Sequence, residues 1–219
     1  MILICDLDDT LYPELTYVYS GFKAVAKYLE HEFGWKSTDV FDVMQADLLT
    51  LGRGAVFDSL LKSKGAYSSA LVKCCVSVYR NHDPDISLNT DATDLLTNFG
   101  GPLFLVTDGN KMVQAKKVRA LGLDPWFRRI FITHRFGIHN SKPSTHCFRL
   151  IHDSLNCDWS DMIYIGDNPA KDFVNLKPLG MKTVRILTGP YANVSAAPDF
   201  DADFHIDSLN EITDLFSLE

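Results

Sequence analysis

The chain has no block of lysine and arginine, no long apolar run, no paired-cysteine spacing and no internal repeat, and each absence removes a class of function. Its 28 acidic residues against 21 basic ones give a formal charge of -7, so the overall electrostatics do not draw it to nucleic acid. Any phosphate recognition has to be local. No apolar run approaches the roughly 20 residues of a membrane span, and the acids from Asp6 onward speak against a secretory leader, so the protein is expected in the cytoplasm and off the membrane. The five cysteines, Cys5, Cys74, Cys75, Cys147 and Cys157, are odd in number and show no C-x-x-C pair, so neither a disulfide framework nor a structural zinc site is indicated. His146, Cys147, His152 and Cys157 lie close in sequence. Their spacing matches no common tetrahedral zinc pattern, and on one helix they would not share a face.

What is present is enough apolar material for a core: 46% of 219 residues, which suits one domain, or one domain carrying a large insertion. From about residue 100 short apolar runs alternate with amphipathic stretches, the order of βα units in a parallel sheet. Strands are expected at 102–107 (PLFLVT), 129–133 (RIFIT), 162–166 (MIYIG), 183–187 (TVRIL) and 203–207 (DFHID). Helices are expected over 111–121, from Pro143 onward, over 171–179 and at the C-terminus. Residues 189–201, rich in Ala, Pro and Asn, read as a loop or mobile segment. Between Pro13 and about Pro84 the texture is different. Val18, Phe22, Val25, Ala26 and Leu29 recur at three and four, Val40, Val43, Met44 and Leu48 nearly so, and glycines at 34, 52, 54 and 65 divide the segment into four helices. The expected organisation is an α/β core with a Rossmann-like parallel sheet over 1–13 and 85–219, and a helical cap inserted at 14–84.

The stretch ILICDLDDTLYP, residues 2–13, crowds Asp6, Asp8 and Asp9 at the end of an apolar strand. Like charges so close resist desolvation, and a fold tolerates them best where a cation, a proton or solvent relieves the charge. In an open parallel sheet, ligands gather at the carboxyl ends of strands. The other expected strand ends deliver Thr107, Asp108 and Gly109, then Gly166 and Asp167 with Asp172 five residues on, while Lys142 stands at a helix start. Taken singly, each has an ordinary structural reading. Taken together, they all fall on one edge of one sheet.

These residues resemble the haloacid dehalogenase superfamily, most of whose members are magnesium-dependent phosphatases. DLDDT (6–10) matches its first motif, Thr107 after LFLV the second, Lys142 in NSKPSTHCF the third, and GDNPAKD (166–172) the fourth, in the family's order. One departure is Asp108, where many relatives carry Asn; its side chain is expected to point outward, leaving only its backbone N–H to act.

The resemblance implies roles. Asp6 is the nucleophile that forms an aspartyl-phosphate, and Asp8 the acid and base that protonates the leaving oxygen and then activates water. Mg2+ is bound by the Asp6 carboxylate, the Asp8 carbonyl and Asp167, with Asp172 orienting Lys142 or a metal-bound water. Thr107, Lys142 and the backbone N–H groups around Asp108 and Gly109 hold the phosphoryl oxygens. Thr10 braces the loop through its hydroxyl, and Asp9 caps a helix or faces solvent. The expected substrate is a small-molecule phosphate monoester, such as a nucleotide, sugar phosphate or phospho-acid, and the enzyme is expected to be a monomer or homodimer. Tyr12, Tyr17, Tyr19, Arg53 and Lys64 are candidates to face the cleft. A phosphomutase or phosphotransferase of the same superfamily, and a non-catalytic binding module on the same fold, are the competing readings; Asp8 argues against a dehalogenase, since halide needs no proton to leave.

Overall fold

Four of the apolar runs are buried along almost their whole length, as strands covered on both faces must be. β1 (Ile2–Cys5), β2 (Leu103–Thr107), β4 (Met162–Gly166) and β5 (Lys182–Ile186) form the middle of a six-stranded sheet; β3 (Arg129–Ile132) and β6 (Phe204–Ile206) are its edges. The order is β3-β2-β1-β4-β5-β6 and every pairing is parallel. The chain therefore lays strands outward on one side of β1 and then returns to lay the rest on the other, so the order reverses between β1 and β4. That reversal opens a crevice at the strands' carboxyl ends. The expected Rossmann-like α/β core is what the chain forms.

The computed structural model of the chain describes residues 1–216. It divides into two units, one of Met1–Glu14 with Ser87–Glu219 and the other of Leu15–Ile86, against expected divisions at 13/14 and 84/85. Residues 217–219 of the expected core segment lie outside the described residues. The inserted unit is built on α1 (Glu14–Phe33), α2 (Ser37–Leu51), α3 (Val56–Ser63) and α4 (Ser69–Asn81). Val18, Phe22, Val25, Ala26 and Leu29 of α1 join Val40, Met44, Leu60, Leu61 and Cys75 in one buried cluster, the stripe read from their spacing. Among the described residues no helix is long and apolar enough to cross a membrane.

In the sheet-containing unit α5 (Thr90–Asn98), α6 (Lys111–Ala120), α7 (His146–Leu155) and α8 (Glu211–Phe216) complete the fold. Three expectations need correction. α5 is an extra helix, poor in helix formers, that holds by burying Ala92, Leu95 and Leu96 on one face. α7 starts at His146 rather than Pro143, because a turn carrying the cis Lys142-Pro143 peptide intervenes. Residues 171–179 form turns and one 3-10 segment, Lys177–Leu179, rather than an α-helix; Pro178 removes a backbone donor and disfavours the α conformation of Lys177.

The segment 189–201 is tied down by a buried arginine. Arg185 of β5 donates through Nη1 to Asp201 Oδ1 (3.1 Å) and through Nη2 to the carbonyls of Tyr191 (2.5 Å) and Val194 (2.7 Å). Just before that segment the Thr188 hydroxyl donates to the carbonyl of Asp9.

Candidate active site

Register sets the first element of the site. Cys5 pairs with Leu105 on one side and Ile165 on the other, and the Asp6 N–H donates to the Ile165 carbonyl (2.8 Å), so Asp6 emerges between the ends of β2 and β4. Its carboxylate is buried. Oδ1 accepts from the Leu7 N–H (2.8 Å) and Oδ2 lies 2.7 Å from Lys142 Nζ. The same ammonium lies 2.7 Å from Asp172 Oδ1 and donates to the Tyr164 hydroxyl (2.8 Å), which in turn donates to Asp172 Oδ1 (3.2 Å). Asp172 Oδ2 accepts from the Asn168 N–H (2.9 Å). Asp172 can approach this closely because position 166 is glycine: a Cβ there would sit 2.6 Å from Asp172 Oδ2.

Asp167 completes the group. Asp6, Asp167 and Asp172 are all buried and can offer ligand oxygens within 4.8 Å of one another. Ionised, they carry three negative charges against the single positive charge of Lys142. The imbalance shows in their proton affinities. Burial, opposed by Lys142 and reinforced by Asp172, pushes the Asp6 carboxyl up to about 6. Burial with Asp6 and Asp172 pushes Asp167 up to about 8. Lys142, despite its burial, is held above the ordinary lysine range by Asp172 and Asp6. Among the described residues no hydrogen bond reaches the Asp167 carboxylate, whereas both Asp172 oxygens are engaged. An oxygen-only, anionic donor set with one uncommitted carboxylate fits a hard divalent cation.

Asp8 points into a different neighbourhood. The turn after β1 brings residue 12 back beside it, with an isolated bridge between Asp8 and Tyr12, and the Tyr12 hydroxyl donates to Asp8 Oδ1 (2.5 Å). α6 supplies the other donors. Asn110 caps that helix by accepting from the N–H groups of Met112 (3.0 Å) and Val113 (3.3 Å), and three residues apart on one face it carries Gln114 and Lys117, both 2% exposed. Lys117 Nζ donates to Asp8 Oδ1 (2.6 Å) and Glu14 Oε1 (3.3 Å). Gln114 Nε2 donates to Asp8 Oδ2 (2.9 Å) and Thr107 Oγ1 (2.6 Å). Burial pushes the Asp8 carboxyl up, but the Lys117 ammonium and the three hydrogen bonds more than offset it, leaving Asp8 below the usual carboxylate range.

Of the residues named from sequence, Asp6, Lys142, Asp167 and Asp172 form one cluster, while Thr107 joins Asp8 through Gln114. Gly109 has φ 131, open to glycine and strained for other residues. The Asp108 side chain is not turned out to solvent as expected. It accepts from Thr133 Oγ1 (2.6 Å) and the Lys142 N–H (3.1 Å), so it braces the turn that presents Lys142. Asp9, with φ 52, accepts from the Glu14 N–H (2.9 Å) at the start of α1, the capping role expected for it. Thr10 does not brace the loop: its buried hydroxyl has no hydrogen-bond partner among the described residues. Sequence reasoning passed over Tyr164, Gln114 and Lys117 and offered Tyr12 only as a candidate to face the cleft; it is a buried donor to Asp8.

Residues 3–186 match the family model of haloacid dehalogenase-like hydrolases. The chain belongs to that family. Among curated proteins it is 28% identical to glyceraldehyde 3-phosphate phosphatase of Methanocaldococcus jannaschii, over 97% of this chain and 95% of the relative. It is also 28% identical to phosphoglycolate phosphatase of Neisseria meningitidis, over 75% of this chain and 69% of that one. Among solved structures, the HAD-hydrolase YfnB of Bacillus subtilis bound to magnesium superposes with a TM-score of 0.67 at 19% identity, covering 98% of this chain and 97% of that one. At that identity the likeness is one of fold.

Proposed function

We propose that this hydrolase is a magnesium-dependent phosphatase that cleaves a small primary alkyl phosphate through an aspartyl-phosphate on Asp6. The observation that carries the reading is the pairing of two carboxylates two residues apart with opposite surroundings. Asp6 sits in an anionic, cation-seeking cluster, and Asp8 sits among donors beside Thr107. Phosphoryl transfer needs a nucleophile, neutralisation of the phosphoryl oxygens and a proton for the leaving alkoxide, and these groups supply all three.

In this reading Asp6 attacks phosphorus as the P–O bond to the alcohol breaks, and Asp8 gives its proton to the departing oxygen. Water then attacks the aspartyl-phosphate and returns a proton to Asp8, so that Asp6 and inorganic phosphate are released. With the proton affinity of the free protein, Asp8 rests as a carboxylate. The incoming phosphoryl group adds negative charge beside it and raises its hold on a proton, which fits a group that must be acid first and base second. Lys142 offsets the charge on Asp6 and the phosphoryl oxygens. Thr107 accepts from Gln114, so its own hydroxyl hydrogen is available to donate to substrate. Mg2+ would be held by Asp6, Asp167 and the Asp8 carbonyl, where it supplies charge neutralisation at the phosphoryl oxygens; Asp172, both oxygens occupied, orients Lys142. The inserted helical unit is assigned the role of cap and of substrate choice.

The relatives act by name on glyceraldehyde 3-phosphate and phosphoglycolate, both short phosphate esters of a primary alcohol, and that class is proposed for this chain. The test is inorganic phosphate release from a panel of such esters with and without Mg2+, alongside Asp6→Asn. Magnesium-dependent release that vanishes in D6N is expected. A folded protein that releases none, or a D6N variant as active as the parent, would sink the reading.

A further inference from the structure

Asp8 has more donors than a mobile acid–base group needs. Its Oδ1 accepts from both the Tyr12 hydroxyl (2.5 Å) and Lys117 Nζ (2.6 Å), which uses both lone-pair positions of that oxygen. Its Oδ2 accepts from Gln114 Nε2 alone (2.9 Å) and keeps one position open. The same Gln114 nitrogen reaches Thr107 Oγ1 at 2.6 Å, so the open oxygen of Asp8 lies on the side of the proposed phosphoryl-binding threonine. The nitrogen assignment follows from chemistry, because an ionised carboxylate can only accept. Lys117 is itself fixed by Glu14 (3.3 Å) and sits 6.0 Å from the centroid of the Tyr12 ring.

We propose that Tyr12, Gln114 and Lys117 are positioning residues that lock the Asp8 carboxyl in one orientation, with Oδ1 saturated and Oδ2 presented as its working oxygen. This deepens the phosphatase reading and rests on it. The lock has a chemical use. With Oδ1 filled by two donors the proton can be carried only on Oδ2, and a carboxyl held at both oxygens stays in reach of the same atom through both half-reactions instead of swinging away from the leaving group; such positioning is worth orders of magnitude in rate. None of the three residues needs to touch substrate for this.

The experiment compares kcat/KM on two esters, glyceraldehyde 3-phosphate and p-nitrophenyl phosphate, for the parent, Lys117→Met and Tyr12→Phe. An alkoxide needs the proton from Asp8 to leave, whereas p-nitrophenolate leaves without one. kcat/KM is used because it covers the chain up to departure of the alcohol and is blind to the later attack of water, which needs Asp8 for both esters. K117M is expected to lose at least about 10-fold more on the alkyl than on the aryl ester, within the 10²- to 10⁴-fold that general acid catalysis supplies. Y12F removes a single oxygen and keeps the ring, so it guards against a folding failure in K117M; an alkyl-over-aryl loss of about 3-fold or more is expected. Equal losses on both esters in an active, folded Y12F would overturn the positioning role and leave the phosphatase reading standing. A gain on the alkyl ester would overturn it too, since the contacts would then restrain Asp8 from its work. A parent protein idle on both esters would overturn the phosphatase reading itself, and this one with it.

Discussion

Two buried lysines each hold an aspartate of the DLDDT turn, and they do opposite things. Lys142 is outnumbered: Asp6, Asp167 and Asp172 surround it, the group is short of positive charge, and Asp6 and Asp167 respond by holding protons more tightly. Lys117 is matched: Tyr12 and Gln114 share the load, Glu14 lies further out, and Asp8 responds by holding its proton less tightly. The side chains of Asp6 and Asp172 are 3% and 0% exposed, while those of Asp8 and Glu14 are each 21% exposed. One centre carries more negative charge than its lysine offsets; the other is balanced by its donors.

The sharpest break is at the proposed nucleophile. Asp6→Asn should lower phosphate release by about 10⁴-fold or more, read by steady-state turnover, because an amide cannot form the proposed acyl phosphate. Lys142→Met comes next. It strands two fully buried carboxylates, so urea unfolding should show a loss of about 3–5 kcal/mol. Lys117→Met removes the same charge from partners that water can reach, and it should cost clearly less, about 1–3 kcal/mol on the same scale. If the two losses are equal, the contrast between the centres is wrong.

Thr107→Val tests the link between them. Loss of this proposed donor to the phosphoryl oxygens should reduce kcat by about 10²- to 10³-fold, with folding intact by circular dichroism.

The smallest effect is the most diagnostic, since the two centres differ in sign. Asp6 and Asp167 hold their protons up to about 6 and about 8 when no metal is bound, well above the unfolded carboxylate. Between pH 4 and 8 these two groups therefore bind more protons in the folded protein than in the unfolded chain, and the stability they contribute falls as pH rises. Thermal melting in EDTA should drop by several degrees from pH 5 to 8, and saturating Mg2+ should abolish that drop by taking the place of the protons. Asp8, lowered, contributes stability that is present above the unfolded carboxylate value and is lost only in more acid solution, as pH falls through its folded value.

Much of this was legible before any coordinates, and the reason is physical. Parallel central strands are continuous apolar runs, and the residues that follow them fall on one edge of the sheet, so Asp6, Thr107 and Asp167 could be placed from spacing alone. Gln114 and Lys117 could not. In KMVQAKKVRA they look like one more solvated helix face, yet α6 buries these two polar residues beside Val118. The available signal was their three-residue spacing on the helix that begins just after Thr107, which turns both toward the same strand end. Tyr164 was hidden for another reason: inside MIYIG it reads as a strand former, and only the pleat decides that its hydroxyl meets Lys142. The missed α5 and the overcalled 171–179 helix are cases where burial overrode propensity in one direction and a proline in the other.

The bond from the Thr188 hydroxyl to the Asp9 carbonyl joins segments far apart in the chain, and on the Thr188 side Arg185 pins the stretch that follows. The turn after β1 thus has its footing in a largely exposed excursion of the chain. Lengthening or clipping that excursion would strip partners from a buried arginine and loosen the turn after β1 together, so a change there reaches the strand ends whatever its distance along the polypeptide.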